Sequence, residues 1–112
     1  MLEELIGNDP QAIDDVLAEF VGSATTLMSS IETAVANEDA EAVKLAVHSL
    51  KSAARSIGAL GLARRCELLE HGAPHERWDD LSMVRDSASA QFAAVRRYIL
   101  DRAATVTPRE SN

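Results

Sequence analysis

The sequence predicts an all-α fold, an antiparallel four-helix bundle with a short extra N-terminal helix. Apolar residues recur at three- and four-residue steps along four segments, the links between those segments are short, and no segment shows strand-like alternation. With 112 residues and 46% hydrophobic content, the chain fits one domain with a packed core. We expect residues 1–104 to form this domain and residues 105–112 to be a polar tail.

The first long helix is predicted to run from Pro10 to Ala36. Asp9 is a suitable N-cap, and Pro10 suits the first helical position because its missing N–H would have no helical partner there. The segment before it, Leu2 to Gly7, predicts the short leading helix. The predicted core face of the long helix consists of apolar residues: Ile13, Val16, Leu17, Phe20, Ala24, Leu27, Met28, Ile31 and Val35.

The second helix should follow a tight break at residues 37–39. Asp39 can cap its N-terminus, and Gly58 is well placed to end it in a left-handed conformation, which glycine adopts without steric cost. Its predicted core positions are again apolar: Val43, Ala46, Val47, Leu50, Ala54 and Ile57.

The third helix is expected from about Ala59 to His71, with Gly72 and Pro74 stopping it. Its inward positions would be Leu62, Cys66 and Leu69. Cys66 therefore reads as a small buried hydrophobe rather than as a redox or metal site.

The fourth helix is predicted after a loop that ends at Trp78, whose side chain would cover one end of the bundle. Asp79 could cap this helix, which should continue to about Ala103. Its inward positions would be Leu81, Val84, Ala88, Phe92, Val95 and Ile99.

Net charge, cysteine content and the lack of long apolar runs exclude several classes of function and location. The formal net charge of −7 argues against general binding to nucleic acid or to anionic membranes. Cys66 is the only cysteine, so an internal disulfide is impossible and a reducing compartment is favoured. The N-terminus has no signal-peptide pattern, and no apolar run is long enough to span a bilayer. We therefore expect a cytoplasmic protein.

The most informative residue is His48, in the second helix. At about 100° per residue it falls on the side of that helix away from the core. Its neighbours one or two turns away include three cations, Lys44, Lys51 and Arg55. A strip of small residues runs beside them, and one apolar residue also points away from the core: Ser49, Ser52, Ser56 and Leu45.

This pattern is compatible with two interpretations. A solvent-exposed imidazole is largely neutral at pH 7, so a ring nitrogen of His48 could act as a nucleophile toward a phosphoryl group. The nearby cations would then offset the new negative charge, and the small residues would let another protein approach. Alternatively, His48 is an ordinary surface histidine among solvated charges. The basic neighbours alone do not decide between the two.

The stretch "HSLKSAARSIGALGLARRCELLE", from His48 to Glu70, resembles the histidine-containing phosphotransfer (HPt) domains of bacterial phosphorelays. The family pattern is His, any residue, Leu, Lys, a small residue that is usually Gly, and a Gly about ten residues after the His. His48, Leu50, Lys51 and Gly58 match this pattern. Ser52 departs from it, which could change partner choice or transfer rate. The likeness extends over roughly residues 2–99.

The resemblance implies that His48 accepts a phosphoryl group from a receiver-domain aspartate and passes it to another receiver. Lys51 would steady the phosphate, and Gly58 would serve the helix end. The implied partners are receiver domains of a hybrid sensor kinase and of a response regulator, with the domain itself acting as a monomer. No cofactor is expected, because the partner receiver would supply the Mg²⁺. Whether the domain is free-standing or the C-terminal part of a hybrid kinase stays open.

Two other functions remain open. The chain could be a helical interaction module that binds a receiver or kinase domain without being phosphorylated. It could also be a substrate domain of the chemotaxis type, phosphorylated directly by an ATP-binding domain. A hydrolase or metalloenzyme is disfavoured, because the sequence shows no complete catalytic constellation.

The remaining polar residues read as surface features. His71 and His75 are four apart, but the intervening Gly72 and Pro74 favour loop histidines over a metal site. One of Arg64 and Arg65 could lie near the face of His48 where a partner would dock. A solvated surface position for both arginines is at least as compatible with the sequence. The other paired charges are expected on solvated outer faces: Arg96 and Arg97, Asp14 and Asp15, and Glu67 and Glu70.

Overall fold

A computed structural model describes the backbone of residues 9–106 and the side chains of residues 9–103. In this part of the chain four α-helices and one 3₁₀ turn follow one another: α1 Pro10–Ala36, α2 Ala40–Ser56, α3 Leu60–Gly72, the turn Ala73–His75, and α4 Trp78–Val106. The predicted leading helix at residues 2–7 and residues 107–112 of the predicted tail lie outside the described residues. The predicted end of α4 was short, since the helix continues to Val106.

The four helices form an antiparallel bundle, as the sequence predicted. Each helix packs mainly on its neighbours in chain order, and α4 closes the ring against α1. The links between them are short, and such links bring the next helix back alongside the previous one. As a result α2 lies between α1 and α3, and α3 lies between α2 and α4.

Side-chain caps begin the first two helices where they were predicted. The Asp9 carboxylate accepts hydrogen bonds from the backbone N–H groups of Gln11 at 3.0 Å and Ala12 at 3.3 Å. The Asp39 carboxylate likewise accepts from the N–H of Ala42 at 3.1 Å. These bonds satisfy N–H groups that have no partner within the helix, which fixes where α1 and α2 start.

Gly58 ends the second helix as predicted. Its φ is +81°, in the left-handed region, and its N–H donates to the carbonyl of Arg55 at 3.1 Å. The N–H of Ala59 donates to the carbonyl of Ala54 at 2.8 Å. The two bonds form a Schellman motif, which turns the chain sharply and places α3 directly against α2.

The prediction that Asp79 caps the fourth helix was wrong. The helix begins at Trp78, two residues before the start that a cap at Asp79 implies, and the carbonyl of Arg77 already accepts the N–H of Leu81 at 2.9 Å. Asp79 therefore lies in the first turn, where its charge faces the positive end of the helix dipole. Trp78 is half-buried against the core, as expected of a residue covering one end of the bundle.

The core is largely aliphatic, and no polar or charged residue is buried among the residues that the structure describes. Its fully buried large residues come from all of the first three helices: Ile31, Val43, Val47, Leu50, Leu62, Cys66 and Leu69. Phe20 and Phe92 meet edge to face with ring centroids 6.3 Å apart, which joins α1 to α4. The prediction of a buried Cys66 is confirmed.

A further contact between α1 and α4 corrects one prediction. Asp14 was expected on a solvated face, yet its Oδ1 accepts a hydrogen bond from Nε of Arg102 at 2.9 Å, and both side chains are largely covered. Sequence periodicity places Asp14 at the edge of the helix stripe, but only the packing of α4 supplies its partner. Within residues 9–106, no helix is both long and apolar enough to cross a membrane.

Candidate functional site

His48 stands out from α2 on the side away from the core. Two-thirds of its side chain, 66%, is exposed to solvent, whereas Val47 and Leu50 beside it are fully buried. The helical period therefore placed its imidazole correctly. The ring is reachable by another protein.

The neighbouring helix supplies the partner of this ring. Nδ1 of His48 lies 3.1 Å from Oε2 of Glu70, a residue of α3. Since an ionised carboxylate can only accept, the hydrogen bond requires that Nδ1 carry the proton. In the neutral imidazole, Nε2 is then left with its lone pair. The Glu70 carboxylate thus fixes both the ring orientation and the tautomer of His48.

The same carboxylate binds Lys51. Nζ of Lys51 donates to Oε1 of Glu70 at 2.5 Å, and only 15% of the lysine side chain is exposed. One turn separates His48 from Lys51 on α2, so Glu70 bridges two residues of the same helical face. The Lys51 ammonium consequently lies beside the imidazole at the contact between α2 and α3, which we call the α2–α3 seam.

These contacts shift the protonation equilibrium of Glu70. The hydrogen bond from Lys51 is the largest cause that lowers the pKa of the Glu70 carboxyl below its ordinary value, and the bond from His48 adds to it. Partial desolvation opposes both. Glu70 is therefore held as a carboxylate at neutral pH, which is the form that the hydrogen bond with His48 requires.

A second ion pair continues the seam. Nη2 of Arg55 donates to Oε2 of Glu67 at 2.8 Å, with both side chains about half exposed. The prediction of a solvated face was wrong for Glu70, whose side chain is 21% exposed, whereas Glu67 is 41% exposed while it binds Arg55. The sequence did hold one signal: His48 and Glu70 lie at similar distances along the chain from the turn at Gly58, as facing residues of a helical hairpin do.

The outer face of α2 carries the remaining residues singled out in the sequence. Lys44 and Leu45 are exposed, Leu45 by 65%, and so are Ser49 and Ser52. The Ser56 hydroxyl donates to the carbonyl of Ala53 at 2.7 Å. Lys44 has no ion-pair partner among the described residues, so its ammonium is free for an incoming anion.

The burial of Cys66 has a chemical consequence. Desolvation, with a smaller contribution from the nearby Glu70 charge, raises the pKa of the Cys66 thiol to about 11. The thiol is therefore protonated at neutral pH and is a poor nucleophile. Cys66 is therefore a packing residue of the core, beneath the α2–α3 seam.

The other candidates lie apart from His48. His71 lies in α3, as the predicted helix bounds require, so the interpretation of it as a loop histidine was wrong, and His75 closes the 3₁₀ turn. No group of three or more potential metal ligands occurs among the residues that the structure describes. Arg64 is exposed, whereas Arg65 is bonded to the Ser87 hydroxyl at 3.1 Å.

Comparison with known proteins agrees with this architecture. The model of the family described as Hpt domain matches residues 15–101, most of the chain. The chain belongs to this family. The Hpt domain is also similar to the crystal structure of histidine-containing phosphotransfer protein B (HptB) from Pseudomonas aeruginosa PAO1, with a TM-score of 0.83 and 25% identity. The match covers 92% of this chain and 90% of that one.

No curated protein matches the sequence. The family match and the structural match together support a phosphotransfer role in two-component signalling for this Hpt domain. Hpt domains are phosphocarriers rather than enzymes with an ATP site of their own, and they pair with receiver domains.

Proposed function

We propose that Nε2 of His48 accepts a phosphoryl group from the aspartyl phosphate of one receiver domain and passes it to the aspartate of another. The Nε2 lone pair attacks phosphorus, an N–P bond forms, and the P–O bond to the donor carboxylate breaks. The donor leaves with its electron pair as a free aspartate. The second transfer is the reverse of the first, with the carboxylate of the acceptor receiver as the nucleophile.

One observation carries this proposal: the hydrogen bond between Glu70 and Nδ1 of an otherwise exposed His48. It directs the reactive lone pair outward without burying it. When Nε2 gains the phosphoryl group, the proton on Nδ1 remains and the ring becomes cationic. The Glu70 carboxylate then balances that charge, so it favours the phosphorylated ring as well as the tautomer that reacts.

The cations on this face have different roles in the proposal. Lys51 is bonded to Glu70 and holds the carboxylate in position, so its contact with the phosphoryl group is secondary. Lys44 lies one turn before His48, is exposed and has no carboxylate partner among the described residues. We assign Lys44 to the phosphoryl oxygens or to the acidic pocket of the visiting receiver.

The partner supplies the rest of the chemistry. We propose that the receiver brings the Mg²⁺ and the reacting aspartate, and that the Hpt domain works without a cofactor of its own. The docking surface would comprise the outer face of α2, where Leu45 is the apolar contact and Ser49, Ser52 and Ser56 leave room for close approach. In this proposal the donor is a receiver domain of a hybrid kinase and the acceptor is a response regulator. The Hpt domain acts as a monomer in the cytoplasm.

The test uses phosphoryl transfer from a purified, phosphorylated receiver domain. The wild-type protein should gain an acid-labile, base-stable adduct, and the H48Q variant should gain none. The matched control is H71Q, which removes an exposed histidine from α3 and should label like the wild type. Equal labelling of H48Q would overturn the proposal.

A parallel reaction with an ATP-bound histidine kinase catalytic domain identifies the preferred donor. If the kinase domain labels the protein faster than the phosphorylated receiver does, the donor is a kinase rather than a receiver. Binding to the receiver with no label on the wild type would instead favour a plain interaction module.

A further inference from the structure

Among the described residues a groove runs between α3 and α4, and none of its lining residues belongs to α2. It consists of two adjoining cavities of about 550 and 360 Å³, which share Leu68 and Val84 as lining residues. Leu68 is 54% exposed and Met83 is 71% exposed, so two large apolar side chains stand in water along it. Exposed apolar side chains that adjoin one another beside polar residues are typical of protein interaction sites.

The helices approach closely at one end of this groove. A Cβ added at Gly72 would lie 3.0 Å from Cδ2 of Leu81. Glycine therefore lets α3 reach α4 there, which forms the floor of the larger cavity. The buried Leu81 side chain and Gly72 thus line the larger cavity together with the exposed Leu68.

Its charge contrasts with the rest of the chain. Three arginines, Arg64, Arg65 and Arg77, line the groove of a protein whose formal net charge is −7. Arg65 donates to neutral acceptors, the Ser87 hydroxyl and the Gly61 carbonyl, so its charge is not neutralised.

The other two arginines are also largely uncompensated. Arg64 is exposed and has no ion-pair partner among the described residues. Asp80 is the one carboxylate that lines the two cavities, and it lies 3.9 Å from Nε of Arg77 with both side chains well exposed. A contact of that length in water is weak. The groove is therefore apolar along its length and positive at its rim.

The groove and the His48 site occupy different faces. On α3, Glu67 and Glu70 turn toward α2, whereas Arg65 and Leu68 turn toward α4. Because α3 lies between the two, no residue that lines the groove belongs to the hydrogen-bonded cluster of His48, Lys51 and Glu70.

We propose that this groove docks an amphipathic helix of a partner protein, one that presents apolar side chains along one face and carboxylates beside them. The stretch from Arg77, just before α4, to Ser87 within it spans about 15 Å at the helical rise, or about three turns of a docked helix. Leu68, Met83 and Val84 would contact its apolar face, and the three arginines would pair with its carboxylates. A symmetric second copy fits less well, because its arginines would face the same arginines.

The experiment uses a synthetic helical peptide of sixteen residues, in which leucines at helical spacing form one face and glutamates flank them. A matched peptide carries lysine in place of every glutamate. Fluorescence anisotropy with the intact chain should give at least about tenfold tighter binding of the glutamate peptide, with a loss of affinity at high salt. Amide chemical shifts should change around Leu68 and Met83 and not around His48.

Matched variants locate the site. R64E and M83S should each weaken binding of the glutamate peptide by about tenfold, since each removes an exposed contact. The controls R97E and L60S change an exposed arginine of α4 and an exposed leucine of α3 outside the groove, and they should leave binding unchanged. The H48Q variant should also bind normally, so this proposal can fail independently of the proposed phosphotransfer.

Three outcomes would overturn the proposal: equal affinity for the two peptides, shift changes centred on His48, or equal loss in groove and control variants. Sedimentation of the chain alone provides one more measurement. A dimer that M83S dissociates would assign the groove to a second copy of the chain instead. Circular dichroism would verify that each variant retains its helices.

Discussion

Replacing Glu70 by alanine isolates the contribution of the carboxylate to the proposed phosphoryl transfer. E70A removes the acceptor that holds the proton on Nδ1 of His48, and it also leaves Lys51 without its carboxylate. The imidazole stays exposed, so access of a receiver is unchanged. We expect slower transfer, because the tautomer with a free Nε2 lone pair is no longer favoured and the phosphorylated ring loses its counter-charge.

The expected magnitude follows from the exposure of the pair. A hydrogen bond to a charged group contributes about 1.5–3 kcal/mol when water is excluded. The His48 side chain is 66% exposed and that of Glu70 is 21% exposed, so water competes for both groups. Discounting for that competition leaves about 1 kcal/mol. The rate of transfer should therefore fall about fivefold in E70A, and less in E70Q, which retains a carbonyl acceptor.

Rapid-quench measurement of transfer from a phosphorylated receiver domain gives the rate directly. The matched control is E67A, which removes a carboxylate one turn earlier on α3 that binds Arg55 and not His48. E67A should transfer at nearly the wild-type rate. Nitrogen-15 spectra of the imidazole would report the tautomer independently, with the proton on Nδ1 in the wild type and a shift toward Nε2 in E70A.

Two results would refute this reasoning. The first is an unchanged transfer rate in E70A, or a decline that E67A reproduces, since either would separate the rate from the bond to Nδ1. The second is a wild-type spectrum with the proton on Nε2. In that case the Glu70 carboxylate would not set the tautomer.

Three further predictions concern the stability of the fold. L50A should lower the free energy of unfolding by about 2–5 kcal/mol, because Leu50 is fully buried. G58A should lower it by about 1 kcal/mol, because φ is +81° there while an added Cβ meets nothing within 4 Å, so the cost is conformational. The folded pKa of Glu70 lies below its ordinary value of 4.5, so its stabilising effect is complete above that pH and is lost as pH falls through the folded pKa. The stability advantage of the wild type over E70Q should therefore shrink as the pH falls below 4.5.

Urea denaturation followed by circular dichroism measures all three. L45A changes a leucine of α2 that is 65% exposed, and it should cost less than about 0.5 kcal/mol. G22A places alanine inside α1 where space is open, and it should raise stability by up to about 1 kcal/mol, opposite in sign to G58A. Equal costs for the two leucines, the same sign for both glycines, or an advantage over E70Q that grows at low pH would contradict these predictions.

The fold was largely predictable because its signals are local. Asp9 and Asp39 cap the helices that they were predicted to cap, and Gly58 ends α2 in the left-handed conformation. These features depend on residues within one turn of the helix end. The start of α4 was misplaced for the opposite reason. Asp79 is a good N-cap by type, but the helix starts two residues before the start that this cap implies, at Trp78, which packs against the core.

For the candidate site, the sequence predicted only the residues that α2 contributes. Helical periodicity fixed the exposure of His48, since the direction of a side chain around its own helix follows from the sequence alone. Glu67 and Glu70 were expected on solvated faces, because the sequence shows no catalytic pairing for them. Helical periodicity gives no information about the adjacent helix, whose cations bind both carboxylates.

The sequence by itself thus determined four amphipathic helices, their order, and an imidazole in water among positive charges. Tertiary structure alone decided that Glu70 bridges His48 and Lys51 and that Leu68 and Met83 form one groove with three arginines. The physical reason is that periodicity fixes directions within a helix. Contacts between helices depend on how far each one slides and rotates against its neighbour, which the packing of the whole core sets.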